Sequence, residues 1–511
     1  MQSKTETKYR KVLLPLSFLI SLLVLLYTAW LGDDAFITIR TVDNWVNGFG
    51  LTWNINERVQ AYTHPLWMLL LSAFHFFIRD GYFTLLIANI VVSLIVFAVF
   101  LRHFSAKIFP LFFGWGILIL SKAFVDYSTS GLENALSHLL LLLFIIIFLD
   151  ETHPLDARRF FLLALIASLG TVNRMDSLLF FLPALLYIWF TQYRGLRGLW
   201  ILVAGFVPFL LWELFSLLYY GFPFPNTAYA KLNSGIPTFD LMRQGGIYFL
   251  NSLKWDPLTL TVTALAITTT FLHNADREKT VAGGIILYLA YIVYIGGDFM
   301  SGRFFSAVLL VSAFLLTKFV AELNRNWKLI FSMLVVVMGA FGIIFPNRYA
   351  DNTSLDGMIA NERGIYFQST NPFVLNGGDV NHPWADIGRT YKSDGITFSA
   401  EGSIGFVGYY AGPEVYIVDV NALTDPLLAR LNMMDTENWR IGHFTRDYPA
   451  GYIDTIKLGK NRIIDPSLAE YYNKMKIIIS GQLLSTERLI TIWEMNTGKY
   501  DHLLKEYAER Q

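Results

Sequence analysis

Eleven apolar runs constrain this chain more than any single motif. The first is Val12–Trp30. The others are Tyr82–Leu101, Ile108–Leu120, Leu136–Leu149, Phe160–Val172, Ser177–Thr191, Leu199–Tyr220, Thr259–Leu272, Val281–Ile295, Phe304–Val320 and Leu329–Phe345. A helix needs about 20 apolar residues to cross a bilayer, so the shorter runs must borrow uncharged flanks. Only 16% of the 511 residues are charged and 54% are hydrophobic, against about 25% charged in ordinary globular chains. These observations point to a polytopic membrane protein. Lys4, Lys8, Arg10 and Lys11 precede the first run, and no small-residue cleavage site follows it. It reads as a retained first helix with a cytoplasmic N-terminus.

Charge sets the expected sidedness. Arg102 to Lys107, Arg158-Arg159, Tyr193 to Arg197, Arg277 to Lys279 and Lys318 to Lys328 are basic or basic-leaning. The positive-inside rule makes them cytoplasmic. Counting Thr63–Ile78 as a span would break that parity. It reads instead as a surface or re-entrant helix, started by Pro65 and containing His75. The expectation is about eleven spans, with the C-terminus outside. The outer loops then collect Asp33, Asp34 and His64; Lys122, Asp126 and Glu133; Arg174 and Asp176; Lys231; and Asp298 with Arg303. Carboxylates, glycines and isolated cations gather on one face, and plain basic loops on the other.

The first outer loop, residues 32–81, opens Gly32-Asp33-Asp34-Ala35-Phe36-Ile37 and closes Tyr62-Thr63-His64-Pro65-Leu66-Trp67. Ala35, Ile39, Val42 and Val46 recur at helical spacing, and Gly48 and Gly50 stop the helix. Asp33 and Asp34 sit at its positively polarised N-terminus. Neighbours on a helix point about 100° apart. One carboxylate can therefore face a cleft as a general base while the other caps the helix.

The remaining candidates each carry two readings. Arg303 follows the turns at Gly296-Gly297 and Gly302, where backbone N–H groups can approach an anion; it is a phosphate fork or an ion pair with Asp298. Lys231, after Pro225-Asn226, is a phosphate contact or an interfacial lysine. Arg174 is a third phosphate cation or pairs with Asp176. Glu133, after Gly131, caps a helix or supplies a second acidic group for an acceptor or a divalent ion. His64 binds a hydroxyl or phosphate, or simply ends a loop.

No cysteine is present, which excludes disulfides, thiolate zinc sites and cysteine nucleophiles. No metal site, nucleotide-binding fingerprint or zinc-protease motif is found. Balanced charge, 40 basic against 40 acidic residues, gives no sign of a nucleic-acid partner. No cofactor is required by these residues, and a divalent cation is left open. An enzyme working outside the cytoplasm lacks nucleotide sugars, so its activated donor would be carried by the membrane lipid.

Residues 1–346 form the expected transmembrane domain, with its catalytic outer loops. From 347 to 511 the chain is charged and turn-rich, and reads as an extracytoplasmic, periplasmic α/β domain. Strands are expected at Val415–Val420, Lys476–Ile479 and Leu489–Trp493, and helices near Pro426–Leu431 and Ser467–Met475.

The first outer loop resembles that of GT-C glycosyltransferases, most closely the terminal β-arabinofuranosyltransferase family. The residues carrying the likeness are Gly32 to Ile37, Gly50-Leu51-Thr52-Trp53-Asn54, Glu57-Arg58 and Tyr62 to Trp67. Ser130-Gly131-Leu132-Glu133, Asn173 to Asp176, Pro225 to Lys231, Gly297 to Phe304, Ile404 to Tyr410 and Leu423 to Pro426 follow in that family's order. Ser301 stands where many relatives have proline. The resemblance implies a mainly α membrane fold of GT-C type and a polyprenyl-monophosphate sugar donor. It also implies a base in the first outer loop, which maps best onto Asp33.

The expectation is an inner-membrane glycosyltransferase that moves a sugar, arabinofuranose by the resemblance, to a hydroxyl of an extracytoplasmic glycan or glycoprotein. Asp33 would be the base, with Asp34 orienting the acceptor or capping. Arg303, Lys231 and Arg174 would hold the phosphate. Glu133, His64 and Asp298 would be acceptor or secondary acidic groups. A transporter or flippase of lipid-linked glycans should have two related halves with broken helices, and none is evident. A non-catalytic envelope assembly protein is the other rival.

Overall fold

A computed structural model describes residues 4–232, 234–273, 275–344, 358–375, 379–437 and 439–511. The expected domain boundary at 346/347 lies outside the described residues. In chain order the helices begin with α1 (Lys4–Thr28), α2 (Asp33–Val46), α3 (Pro65–Ile78), α4 (Gly81–Phe104), α5 (Ile108–Leu120) and α6 (Lys122–Asp126). Then come α7 (Asn134–Leu149), α8 (Ala157–Asn173), α9 (Leu178–Gln192), α10 (Leu196–Gly205), α11 (Val207–Tyr219) and α12 (Asn226–Leu232). Next are α13 (Thr238–Trp255), α14 (Pro257–Leu272), α15 (Asp276–Tyr294), α16 (Phe305–Glu322), α17 (Arg325–Ile344) and α18 (Glu362–Thr370). The last part holds α19 (Pro383–Ser393), β1 (Phe398–Glu401), α20 (Gly405–Ala411), β2 (Tyr416–Asp419), α21 (Tyr452–Leu458), α22 (Pro466–Ser480), α23 (Thr486–Asn496) and α24 (Asp501–Ala508).

Among the described residues each apolar run is helical apart from at most two positions, at its ends or at a break. Lys11–Thr28, Gly81–Phe104, Met175–Gln192 and Phe305–Glu322 are each long and apolar enough to cross a membrane, among the described residues. The run Leu199–Tyr220 is not one straight helix. It breaks into α10 and α11 at an angle of 59°, because Pro208 has no N–H for the preceding turn and its ring crowds that turn's carbonyl. Pro65–Ile78, Ile108–Leu120, Asn134–Leu149 and Pro257–Leu272 are shorter apolar helices.

The chain divides into two compact units. The first comprises Met1–Gly32, Leu85–Phe209 and Thr238–Asn381, and the second Asp33–Thr84, Leu210–Pro237 and His382–Gln511. In the first unit α16 is buried on all sides from Phe305 to Thr317 and packs against α5, α7 and α14. A helix apolar all round belongs in a core. Glycines let backbones approach: a Cβ at Gly114 would meet Phe100 and Thr317, and one at Gly284 would lie 2.5 Å from the Phe180 carbonyl oxygen. Helix α13 is absent from the apolar runs because it is amphipathic. Tyr248, Asn251, Ser252 and Trp255 are buried, while Arg243 and Lys254 face out.

In the second unit α2 packs against α3 and α20, and α19 against α20. The glycines past α2 stand at φ 91° for Gly48 and 86° for Gly50, a region closed to most side chains. Arg40 is a central fastener. Its Nε donates to the Trp53 carbonyl (3.0 Å), Nη1 to Gly408 (2.7 Å) and Nη2 to Val415 (2.8 Å), over the Trp53 ring. The Asn54 side chain acts as a piece of strand beside β2, accepting from Ile417 N and donating to Ile417 O.

The expected α/β character of the tail reduces, among the described residues, to one parallel pair, β1 and β2. The strand expected at Val415–Val420 is β2. The strands expected at Lys476–Ile479 and Leu489–Trp493 are parts of α22 and α23. Short apolar runs do not distinguish strand from helix. The wider pattern does: Leu468, Tyr471, Tyr472, Met475, Ile478 and Ile479 are buried at three- and four-residue spacing. Near Pro426–Leu431 only a 3₁₀ turn, Leu428–Arg430, forms.

Candidate active site

Asp33 is the first residue of α2 and is buried. Its carboxylate is received by the opening turn of α20. Phe406 N donates to Oδ1 at 2.7 Å, and Gly405 N to Oδ2 at 3.0 Å. A Cβ at Gly405 would stand 1.9 Å from the Asp33 carbonyl oxygen, so the close approach requires glycine. Burial pushes the Asp33 carboxyl up to about 7, with the neighbouring Asp34 and Asp419 charges adding to the rise; the two amides pull the other way. The two amides occupy about half of the carboxylate's roughly four acceptor positions. A carboxylate titrating near neutrality, oriented by fixed donors, is well matched to accepting a proton.

Asp34 is half-buried at the next position. Thr38 lies one turn further along α2, and its Oγ1 is 2.8 Å from His64 Nε2. His64 is buried at the start of α3 and makes no side-chain cap there, so it joins α2 and α3. His75 is fully buried, 3.0 Å from the Asp43 carboxylate and 2.9 Å from Thr84 Oγ1.

The second-unit core around this loop holds three more raised carboxyls. Burial is the largest cause in each, lifting Glu57 to about 8, Asp419 to about 7 and Asp425 to about 6. Asp425 accepts from Leu427 N, Leu428 N and the Tyr452 hydroxyl. Lys231 is exposed on the short helix α12.

In the first unit a separate charged cluster is assembled. Glu133, with no exposed surface, accepts from Arg174 Nη1 at 2.6 Å and from Arg303 Nη2 at 3.1 Å. Arg174 also grips Asp176 and lies over the Phe304 ring. Arg303 reaches Asp298 at 3.5 Å. Both local pairings considered from the sequence are present. Glu133 links them, which spacing could not reveal. Its carboxylate is engaged by two guanidiniums. Lys231 belongs to the second unit and is not a member of this cluster.

A further buried polar group in the first unit joins Lys122 to Asp126 and Asn361, with Arg363 3.6 Å from Asp126. Lys122 and Asp126 were visible as outer-loop residues. Asn361 and Arg363 carried no sequence signal. Among the described residues no group of three or more His, Asp or Glu side chains could hold a metal ion.

Comparison with known proteins gives a consistent picture. No family model matches. The chain is 29% identical over 320 residues to the terminal β-(1→2)-arabinofuranosyltransferase of Mycobacterium tuberculosis, covering 54% of this chain and 50% of that protein. It is 25% identical over 357 residues to the Corynebacterium glutamicum protein of the same name, covering 60% and 50%. The chain thus spans about half the length of the curated relatives it matches. Among solved structures it resembles ArnT from Cupriavidus metallidurans bound to undecaprenyl phosphate. That likeness has a TM-score of 0.50 and 13% identity over 80% of this chain and 85% of that one. The chain shares the mainly helical fold of that structure and is a multi-pass membrane protein.

Proposed function

We propose that the chain is a membrane glycosyltransferase that takes a sugar from a polyprenyl monophosphate. It joins the sugar to a hydroxyl of an extracytoplasmic glycan or glycoprotein in a bacterial inner membrane. The names of the two relatives favour arabinofuranose as the sugar. The undecaprenyl phosphate bound to ArnT favours the lipid carrier. In the reaction the acceptor oxygen attacks the anomeric carbon, the bond from that carbon to the phosphate oxygen breaks, and the polyprenyl phosphate leaves. The acceptor proton goes to Asp33, while Asp34 orients the acceptor. Arg303 and Arg174 neutralise the departing phosphate, for which fixed cations matter more than a strong acid.

The observation that carries this reading is the Asp33 carboxyl, buried, held by two backbone amides and titrating near neutrality. Sidedness is supported within the first unit. Helix α7, about 24 Å long at 1.5 Å per residue, has the Glu133 cluster at its start. At its other end the Asp150 carbonyl accepts from Arg159 and Arg277. We assign the start of α7, the loops at Asp34, Lys231 and Arg303, and the tail from 347 to the outside. Arg102, Arg158, Arg194 and Arg277 go to the cytoplasm. The deciding experiment supplies purified protein with a synthetic polyprenyl-phosphate arabinofuranose and a glycan acceptor. Release of polyprenyl phosphate with a matching gain in acceptor mass is expected. Donor turnover with water only, or none, would sink the proposal.

A further inference from the structure

Helix α23 has two apolar sides. Ile492 and Met495 are buried in the second-unit core with Met475 and Ile478. Away from that core, Ile490 is 51% exposed and Trp493 72% exposed; Leu484, in the preceding turn, is 68% exposed. A surface helix in water needs one apolar side. A second, carrying tryptophan and long aliphatic chains, calls for a partner other than water.

The way α23 is fastened fixes where the helix sits. Arg488 is fully buried. Its Nη1 donates to the Leu218 carbonyl at 2.7 Å and its Nη2 to the Tyr219 carbonyl at 2.8 Å. These are the last two residues of α11, whose C-terminal carbonyls lack partners within the helix. Asn496, at the far end of α23, donates to the Gly221 carbonyl at 2.8 Å. Both ends of α23 are therefore tied to the point where α11 ends. Helix α11 exposes Leu211, Leu214 and Leu218 at helical spacing, and together with α10 it meets the length and hydropathy of a bent membrane span. Where an apolar span ends, the bilayer gives way to its interface, the depth at which tryptophan is favoured.

We propose that α23 is an interfacial helix whose Leu484, Ile490 and Trp493 side chains enter the lipid surface beside the end of α11. The partner is the bilayer itself, and the argument for it is that α23 is tied to the end of α11, an apolar helix that exposes leucines at helical spacing. The contact bears on the first outer loop. Arg58 N donates to the Ile479 carbonyl at 2.9 Å, and Ser480 Oγ to the Asn56 carbonyl at 3.1 Å. The end of α22 is thus a support for the loop that follows α2, and lipid contact of the adjoining α23 steadies it.

The test uses the full chain in lipid nanodiscs of phosphatidylethanolamine and phosphatidylglycerol. It is simplified by the absence of native cysteine. Ile490→Cys, Trp493→Cys and, as a water-facing reference on α24, His502→Cys each receive a nitroxide label. Collision with oxygen, which concentrates in lipid, is compared with collision with a water-soluble nickel chelate. At 490 and 493 the oxygen effect should exceed the nickel effect, with the reverse at 502. Ile490→Cys alters a half-exposed side chain and decides the question even if the tryptophan variant fails to fold. Nickel accessibility at 490 equal to that at 502 would overturn the proposal. Exclusion of both reagents would also overturn it, by assigning the face to a protein partner.

Discussion

Replacing Asp33 by asparagine probes the proposed base, and the structure makes the substitution less innocent than its shape suggests. The carboxylate accepts one backbone N–H on each oxygen. Asparagine has a single oxygen, so its amide nitrogen would face either Gly405 N–H or Phe406 N–H, donor against donor. A lost hydrogen bond to a charged group costs about 1.5–3 kcal/mol. Against this, raising the carboxyl from its ordinary 3.8 to about 7 means that ionising it in place costs on the order of 4 kcal/mol, which a neutral amide avoids. The sign follows from the raised folded value. Between about pH 4 and 7 the unfolded chain gives up the proton while the folded one keeps it, so wild-type stability falls with rising pH. Asp33→Asn should therefore be close to wild type or slightly less stable at pH 5 and more stable than wild type at pH 8, read from thermal midpoints. Its transfer rate at pH 8 should fall about 10²–10⁴-fold, the usual contribution of a positioned base. Wild-type kcat/KM should rise through about pH 7, and the residual rate of the variant should not. The assay is release of polyprenyl phosphate from a defined donor by purified enzyme. Near-wild-type turnover of a folded Asp33→Asn protein would refute the assignment. Loss confined to Asp34→Asn would move the role one residue along.

Arg303→Ala should raise the donor KM about tenfold or more, and Arg303→Lys less, because lysine keeps the charge without the planar fork; equal KM values in kinetics on a lipid donor would remove Arg303 from the site. Glu133→Gln leaves two nearly buried guanidiniums short of an anion, and breaking such a buried pair costs about 3–5 kcal/mol; a clear drop in thermal midpoint is expected, with a higher donor KM in whatever folds. The raised carboxyls of Asp33, Glu57, Asp419 and Asp425 together predict that the thermal midpoint declines from pH 5 to pH 8, and a midpoint rising over that range in scanning calorimetry would contradict it. Single cysteines at 103 and 303 should label from the cytoplasmic and outer sides respectively; outside labelling of 103 in intact cells would overturn the topology.

The sequence by itself determined the membrane class, because a run of apolar residues in lipid has almost no alternative to helix when every backbone group must find a partner. It determined the start of α2 at Asp33 and its end before Gly48, since caps and glycine breaks act within a few residues. It also determined the ordered motifs that carry the resemblance. Tertiary structure alone decided what those residues touch. Asp33 meets Gly405 and Phe406 from 372 and 373 positions away, and Glu133 draws in Arg303 from 170 positions away. Periodicity reports which residues share a face of one element and is silent on which distant element covers it. The same limit explains α22 and α23: runs of four and five residues read alone suit a strand, and only the longer pattern of buried positions, such as Leu468, Met475 and Ile479 in α22, selects helix. The bend between α10 and α11 lies between these cases. Pro208 made a break legible, but its angle of 59° appears only in the structure.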